Sequence, residues 1–239
     1  MFMNQWKKWL KELNLTLSKE QEQQFETYAH ELVEWNKNVN LTRITEEEEI
    51  YEKHFYDSLL ASQCYEFDQV KTMIDVGGGA GFPGMPLKIV YPHIQLTVLD
   101  ASKKRIQFLE HLADVLNIDG VSFVHARAED GARDVNHRDH YDVAIARAVA
   151  RMPVLAEYCL PFVKPQGVWI ALKGKGGTEE ADEAQEAIRL LQGSVADHHY
   201  FELPSESSER RIYVVGKKDV TPKTYPRKAG TITKKPLGL

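Results

Sequence analysis

Residues 73–90 read MIDVGGGAGFPGMPLKIV. An apolar run ends in glycines at 77, 78, 79 and 81, and Pro83 and Pro86 then bracket the start of a second apolar segment. A strand that turns through bare backbone into a helix is a nucleotide-binding arrangement. Outward from it the chain alternates. Strand-like runs fall at 72–76, 94–99, 121–124, 141–146, 167–172 and 211–216, with a further one near 195–201. Helical patterns fall at 84–91, 102–117, 150–161 and 178–192. This alternation predicts βαβ units and a mostly parallel, Rossmann-like α/β sheet of seven strands flanked by helices. The turn-rich LPSESSE (203–209) separates the last two strands without a helix, which predicts a hairpin and one antiparallel strand.

Ahead of the loop the pattern is helical. One helix is expected over about 4–13. A second, over 18–38, opens on a Ser18/Gln21 capping box and carries Phe25, Tyr28, Leu32 and Trp35 as a core stripe. A third is expected to open at Thr45, boxed by Glu48, with Ile50, Phe55, Leu59 and Leu60 on its apolar face. The division expected is a helical layer at 1–66, a catalytic core at 67–218, and a basic, extended tail at 219–239. That tail is too rich in Pro and Lys for a packed element.

The glycines fit two registers. Gly79, Gly81 and Gly84 match G-x-G-x-x-G, the dinucleotide pattern, whereas Asp75, Gly77, Gly79 and Gly81 match D-x-G-x-G-x-G, the S-adenosylmethionine loop. In a dinucleotide fold the first glycine follows strand one directly, and that place belongs to Gly77; counted from there the sixth position is Phe82. Pro83 and Pro86 also remove backbone donors where a pyrophosphate would bind. Gly84 is therefore read as coincidental. S-adenosylmethionine presents an amino-acid tail, a sulfonium and an adenosine. The glycines let backbone pass its amino-acid part, and Asp75 is expected to hold the ammonium, directly or through water. Asp100, at the next strand end, suits the ribose hydroxyls, though it would serve a nicotinamide dinucleotide equally. Ala128 and Glu129, after the third strand, suit the adenine. Three acids at three successive strand ends favour S-adenosylmethionine and the class I methyltransferase fold.

Composition excludes other classes. No apolar run approaches the roughly 18–20 residues that span a membrane. The two cysteines, Cys64 and Cys159, lack a C-x-x-C partner, so neither a metal site nor a disulfide framework is expected. A cytoplasmic monomer is the expectation. Net charge is −5, but residues 210–239 hold nine Lys/Arg against the single acid Asp219. A local basic end suits phosphates, or is a solvated tail.

DVGGGAGFPGMPLKI resembles the loop of the RsmG (GidB) family, roughly D-V-G-x-G-x-G-x-P-G-x-P-L. WNKNVNLTRI (35–44) is similar to that family's W-N-x-x-x-N-L-T, HFYDSL (54–59) to its H-x-x-D-S-L, and YDVAIARAVA (141–150) to its D-x-x-x-x-R-A. The likeness spans nearly the whole chain. Gly78, where relatives often carry another small residue, is expected only to loosen the loop. The resemblance implies methylation of N7 of a guanine in the 530 loop of 16S ribosomal RNA, with the rRNA or a precursor particle as partner and no DNA. The segment ARAVAR also lacks the N-P-P-Y type motif of exocyclic-amine DNA methylation.

Guanine N7 carries a lone pair and no proton, so attack on a sulfonium methyl needs alignment and water exclusion rather than a general base. By resemblance Arg147 lies near cofactor and target, with Asn40 and His54 completing the catalytic set; a surface ion pair is the plain alternative for Arg147. His54 and Asp57, three apart on one face, could pair with each other. Phe82 either walls the cofactor or packs in the core. Arg127, Lys173 and Arg210 are candidate RNA contacts. A dinucleotide-dependent oxidoreductase and a non-catalytic RNA-binding protein are the competing classes.

Overall fold

The computed structural model describes residues 2–239. Two helices open the chain, α1 (Phe2–Glu12) and α2 (Lys19–Asn36). The Ser18/Gln21 box forms as expected, the Ser18 hydroxyl accepting the Gln21 N–H and the Gln21 carboxamide accepting that of Ser18. The next helical rod has three gauges. It begins as α3 (Glu47–Ile50), widens to a π-helical turn over Tyr51–Tyr56, and returns to α-helix in α4 (Asp57–Leu59) before a 3-10 turn over Leu60–Gln63.

The expected Thr45/Glu48 box is absent. Glu46 stands at the N-cap without a side-chain bond, and just ahead of it Thr42 Oγ1 accepts the Ile44 N–H.

The alternating part follows as β1 (Thr72–Val76), α5 (Gly84–Val90), β2 (Gln95–Asp100), α6 (Lys103–Val115), β3 (Val121–His125), α7 (Ala128–Gly131) and β4 (Tyr141–Arg147). Then come α8 (Met152–Cys159), β5 (Val163–Lys173), α9 (Gly177–Leu190), β6 (Gly193–Glu202) and β7 (Glu209–Lys217). The sheet order is β3-β2-β1-β4-β5-β7-β6. Strands β1 to β5 run parallel, and β7 is antiparallel to both β5 and β6, the hairpin expected from LPSESSE.

Alternate strand residues feed two cores. Met73, Val98, Ile145 and Ile170 join Trp6, Phe25, Tyr28 and Phe55 of the N-terminal helices. Ile74, Leu99, Ala144 and Trp169 face α8 and α9. The central strands are buried on both faces, as a helix-covered parallel sheet requires. Order reverses between β1 and β4, and ligands of open α/β sheets bind at the strands' carboxyl ends beside such a reversal.

The tail departs from expectation. It holds a short helix, α10 (Ala229–Lys234), and packs: Ile232 is fully buried, and Leu237, nearly so, joins the α8/α9 core. Its proline-rich backbone finds donors, Arg138 donating to the carbonyls of Thr221, Pro222 and Tyr225. Proline content predicts poor self-pairing; it does not predict that another element will supply the donors.

Candidate active site

Two clefts open at the carboxyl ends of the parallel strands. The first, of about 300 Å³, lies over β1, β2 and β3 and is lined by Gly77, Asp100, Arg105, Glu129, Val149 and Tyr158 among others. The second, of about 290 Å³, lies over β4, β5 and β7 and is lined by His54, Asp57, Arg147, Lys173 and Arg210. Ala148 lines both. The clefts therefore share a wall one residue past the end of β4.

The first cleft is built by the loop itself. Asp75 is fully buried beneath it, and its Oδ2 accepts the Gly84 N–H at 2.7 Å. A Cβ on Gly84 would stand 2.8 Å from that oxygen, and one on Gly78 would meet Val98 Cγ1 at 2.5 Å. Gly84 is thus required by the Asp75 carboxylate rather than coincidental, and Gly78 tightens the loop instead of loosening it. Burial raises the Asp75 pKa to about 7, against the bond from Gly84, which favours the charged form. Asp75 thus anchors the loop through Oδ2, while its Oδ1 is buried without a partner among the described residues.

Asp100 is 3 % exposed; its Oδ2 accepts the Gly79 N–H (3.0 Å) and its Oδ1 that of Ser102 (2.8 Å), with Arg105 Nη1 3.4 Å away. Glu129 is buried beside Tyr158 on the same wall. Gly77, at φ +73°, has Val149 directly over it, with Cγ2 2.7 Å from where a Cβ would lie.

The second cleft is a cage of ion pairs. Arg147 is 13 % exposed at its side chain, so it is no surface pair. Its Nη1 donates to Asp57 Oδ2 (2.7 Å) and to the Lys53 carbonyl (3.0 Å), and its Nη2 lies 3.2 Å from His54 Nδ1. The π-helical turn provides that carbonyl: the Asp57 N–H reaches Glu52 and His54 and skips Lys53. Such turns commonly mark functional positions.

Asp57 Oδ1 accepts from Arg210 Nε at 2.7 Å, so one carboxylate bridges two guanidiniums. An arginine cannot accept, hence His54 Nδ1 must; the proton sits on Nε2, which donates to Thr42 Oγ1 at 2.9 Å. Burial, reinforced by the Arg147 charge, lowers the His54 pKa to about 3. The imidazole is neutral.

The expected residues are only partly brought together. His54 and Asp57 do not pair with each other; both serve Arg147. Phe82 lies in the core, stacked between Tyr28 (5.3 Å) and His54 (4.4 Å), with the Arg147 guanidinium 5.2 Å from its ring centre. It lines neither cleft. Asn40 is exposed and forms no hydrogen bond with the cluster among the described residues; Asn36 Oδ1 fixes the loop around it by accepting the N–H groups of Leu41 and Thr42.

Lys173 is tied down, donating to the Ala150 carbonyl (2.9 Å) and pairing with Glu180 (2.7 Å), whose carboxylate also accepts the Met152 N–H. Arg127 is exposed on the rim of the first cleft. Thr42, Asn36 and Tyr28, whose hydroxyl donates to the Ala80 carbonyl, were not singled out. Thr42 and Asn36 lie within WNKNVNLT, so that motif held the signal. Tyr28 was visible only as the one polar tip in an apolar stripe.

Residues 21–210 match the family described as rRNA small subunit methyltransferase G (GidB). The chain belongs to this family. Ribosomal RNA small subunit methyltransferase G of Halalkalibacterium halodurans is 50% identical over 237 residues, covering 99% of this chain and 100% of that one. Its counterpart in Staphylococcus aureus is 52% identical over 228 residues, 95% of each chain. The protein is thus an rRNA methyltransferase with S-adenosylmethionine as cofactor.

Among solved structures, a mutant of MtNAS in complex with S-adenosylmethionine shares the fold at TM-score 0.55 and 18% identity, covering 82% of this chain and 72% of that one. M. jannaschii TYW2 in complex with AdoMet does so at 0.52 and 12%, covering 66% and 74%. The lining of the first cleft fits the cofactor's adenosine. The α5 N-terminus that a pyrophosphate would need is occupied by Asp75, while the two carboxylates and bare backbone that line the cleft would suit a nucleoside. Among the described residues no side-chain cluster is placed to hold a metal ion, and no helix is long and apolar enough to cross a membrane.

Proposed function

We propose that this chain methylates N7 of a guanine in the 530 loop of 16S rRNA, acting in the cytoplasm as a monomer on the rRNA or a precursor particle. The carrying observation is that every titratable group caging Arg147 is already committed. Both His54 nitrogens and both Asp57 oxygens have partners, so neither side chain is free to act as a general base. Attack by N7 asks for none, since its lone pair is unprotonated. The family likeness supports the nucleotide and the loop.

S-adenosylmethionine, when bound, supplies an electrophilic methyl group. The residues do the rest. Asp100 holds the ribose hydroxyls, Glu129 and the Ala128 backbone the adenine, and Gly77 and Gly79 let backbone approach the amino-acid part, with Gly81 and Asp75 shaping the turn. Arg147, oriented by Asp57 and His54, directs the guanine edge across the Ala148 wall. Arg210 and the rim residue Arg127 meet the RNA strand. A splayed-out base is the form that single-stranded loops offer to such a cleft.

Transfer of tritium from labelled cofactor to 16S rRNA lacking the modification tests the proposal, with the product mapped by mass. Label in 7-methylguanosine within the 530 loop is expected. Label elsewhere overturns the target, and binding of a nicotinamide dinucleotide without S-adenosylmethionine overturns the chemistry.

A further inference from the structure

The C-terminal segment carries Lys and Arg suited to RNA, yet its best-placed cations point inward. Lys217 Nζ is fully buried with four acceptors for its three N–H groups, at 2.7–3.1 Å: Asp139 Oδ1, the carbonyls of Leu160 and Val163, and Thr221 Oγ1. Arg227 grips Glu157 of α8, its Nη2 2.7 Å from Oε2 and its backbone N–H 2.6 Å from Oε1. Glu157 is 0 % exposed. Arg133 and Arg138, in the turns after α7, donate to carbonyls of Pro226 and Tyr225. Leu237 then seats in the α8/α9 core.

The segment therefore fastens two elements, α7 with its following turn and α8. These two supply one wall of the first cleft: Ala128 and Glu129 from α7, and Tyr158, adjacent to Glu157, from α8. We infer that residues 218–239 brace the adenine wall of the cofactor cleft, with Arg227 as a positioning residue that sets Tyr158 through Glu157. The inference rests on the assignment of the first cleft to the cofactor's adenosine. A fork of bonds to a buried carboxylate fixes orientation as well as distance, which a solvated lysine tail would not do.

Calorimetric titration of the full chain tests this. Arg227→Ala is expected to weaken S-adenosylmethionine about tenfold, the scale of one charge-assisted bond, and to weaken adenosine as a competitor by the same factor. Arg227→Lys recovers part of the loss. Affinity for 16S rRNA and its salt dependence stay unchanged. Should Arg227→Ala fail to fold with Glu157 left unpaired, the double variant Arg227→Gln/Glu157→Gln keeps the shape without the charges and decides the matter in the same titration.

Unchanged cofactor affinity in the folded variant overturns the inference. So does a loss confined to rRNA affinity with a shallower salt slope, which would make the tail a phosphate contact. A wild-type chain that binds neither S-adenosylmethionine nor adenosine overturns the underlying cleft assignment instead.

Discussion

Over β1, β2 and β3 the cleft is made from strand ends and the turns that follow them, with backbone and two carboxylates lining it. Across β4, β5 and β7 the opposite holds: side chains from distant parts of the chain cage one another, Asp57 reaching Arg147 over 90 positions and Arg210 over 153. The first half is a preformed cradle. The second is an electrostatic lock in which each cation already has a partner that an RNA would have to match or displace. The difference accounts for which predictions each half supports.

The largest expected effect lies in the lock. Asp57→Ala leaves two poorly exposed guanidiniums without their shared carboxylate, a loss of about 3–5 kcal/mol by the measure of broken buried pairs. Chemical denaturation reads it, and an unchanged midpoint would mean that the cage carries no structural weight. Lys173→Ala comes next. It frees the Ala148–Arg151 loop, where Ala148 is held at φ +56°, and lowers the transfer rate by the equivalent of about 1–3 kcal/mol of lost hydrogen bonding. Affinity for rRNA is expected to hold. If Lys173 instead grips a phosphate, affinity falls and the salt slope drops by about one.

The smallest effect on the transfer rate is in pH. His54, at about 3 in the folded chain against 6.5 as its ordinary value, binds its proton more readily when unfolded. Its contribution to stability is fully present above 6.5 and is lost as pH falls toward 3. The methylation rate is expected to show no histidine inflection near 6.5, and nitrogen NMR to show a neutral His54 protonated at Nε2. An inflection removed by His54→Gln would contradict the bond from Arg147.

The contrast between the halves is also the contrast in legibility. Asp100 and Glu129 could be read because strand ends are local features and the alternation of strand and helix places them. The meaning of Gly84 could not, since it depends on where the Asp75 side chain turns, a fact of packing rather than of spacing. Asp57 was noticed, but the helix periodicity that paired it with His54 fails in a π-helical turn. Arg227 looked like one more tail cation because its partner, Glu157, lies 70 residues away inside an otherwise apolar helix. Resemblance pointed to Arg147, whose long-range partners spacing could not show, and to Asn40, which stands exposed outside that cage.

The central claim is that cofactor and target are served by separate halves meeting at Ala148. Arg147→Ala tests it most directly when cofactor titration and methyl transfer are measured on one preparation. Transfer to 16S rRNA is expected to vanish while affinity for S-adenosylmethionine stays within about twofold, below the tenfold that 1.4 kcal/mol of lost contact would produce. Parallel loss of both, or retention of near-normal transfer, would contradict it.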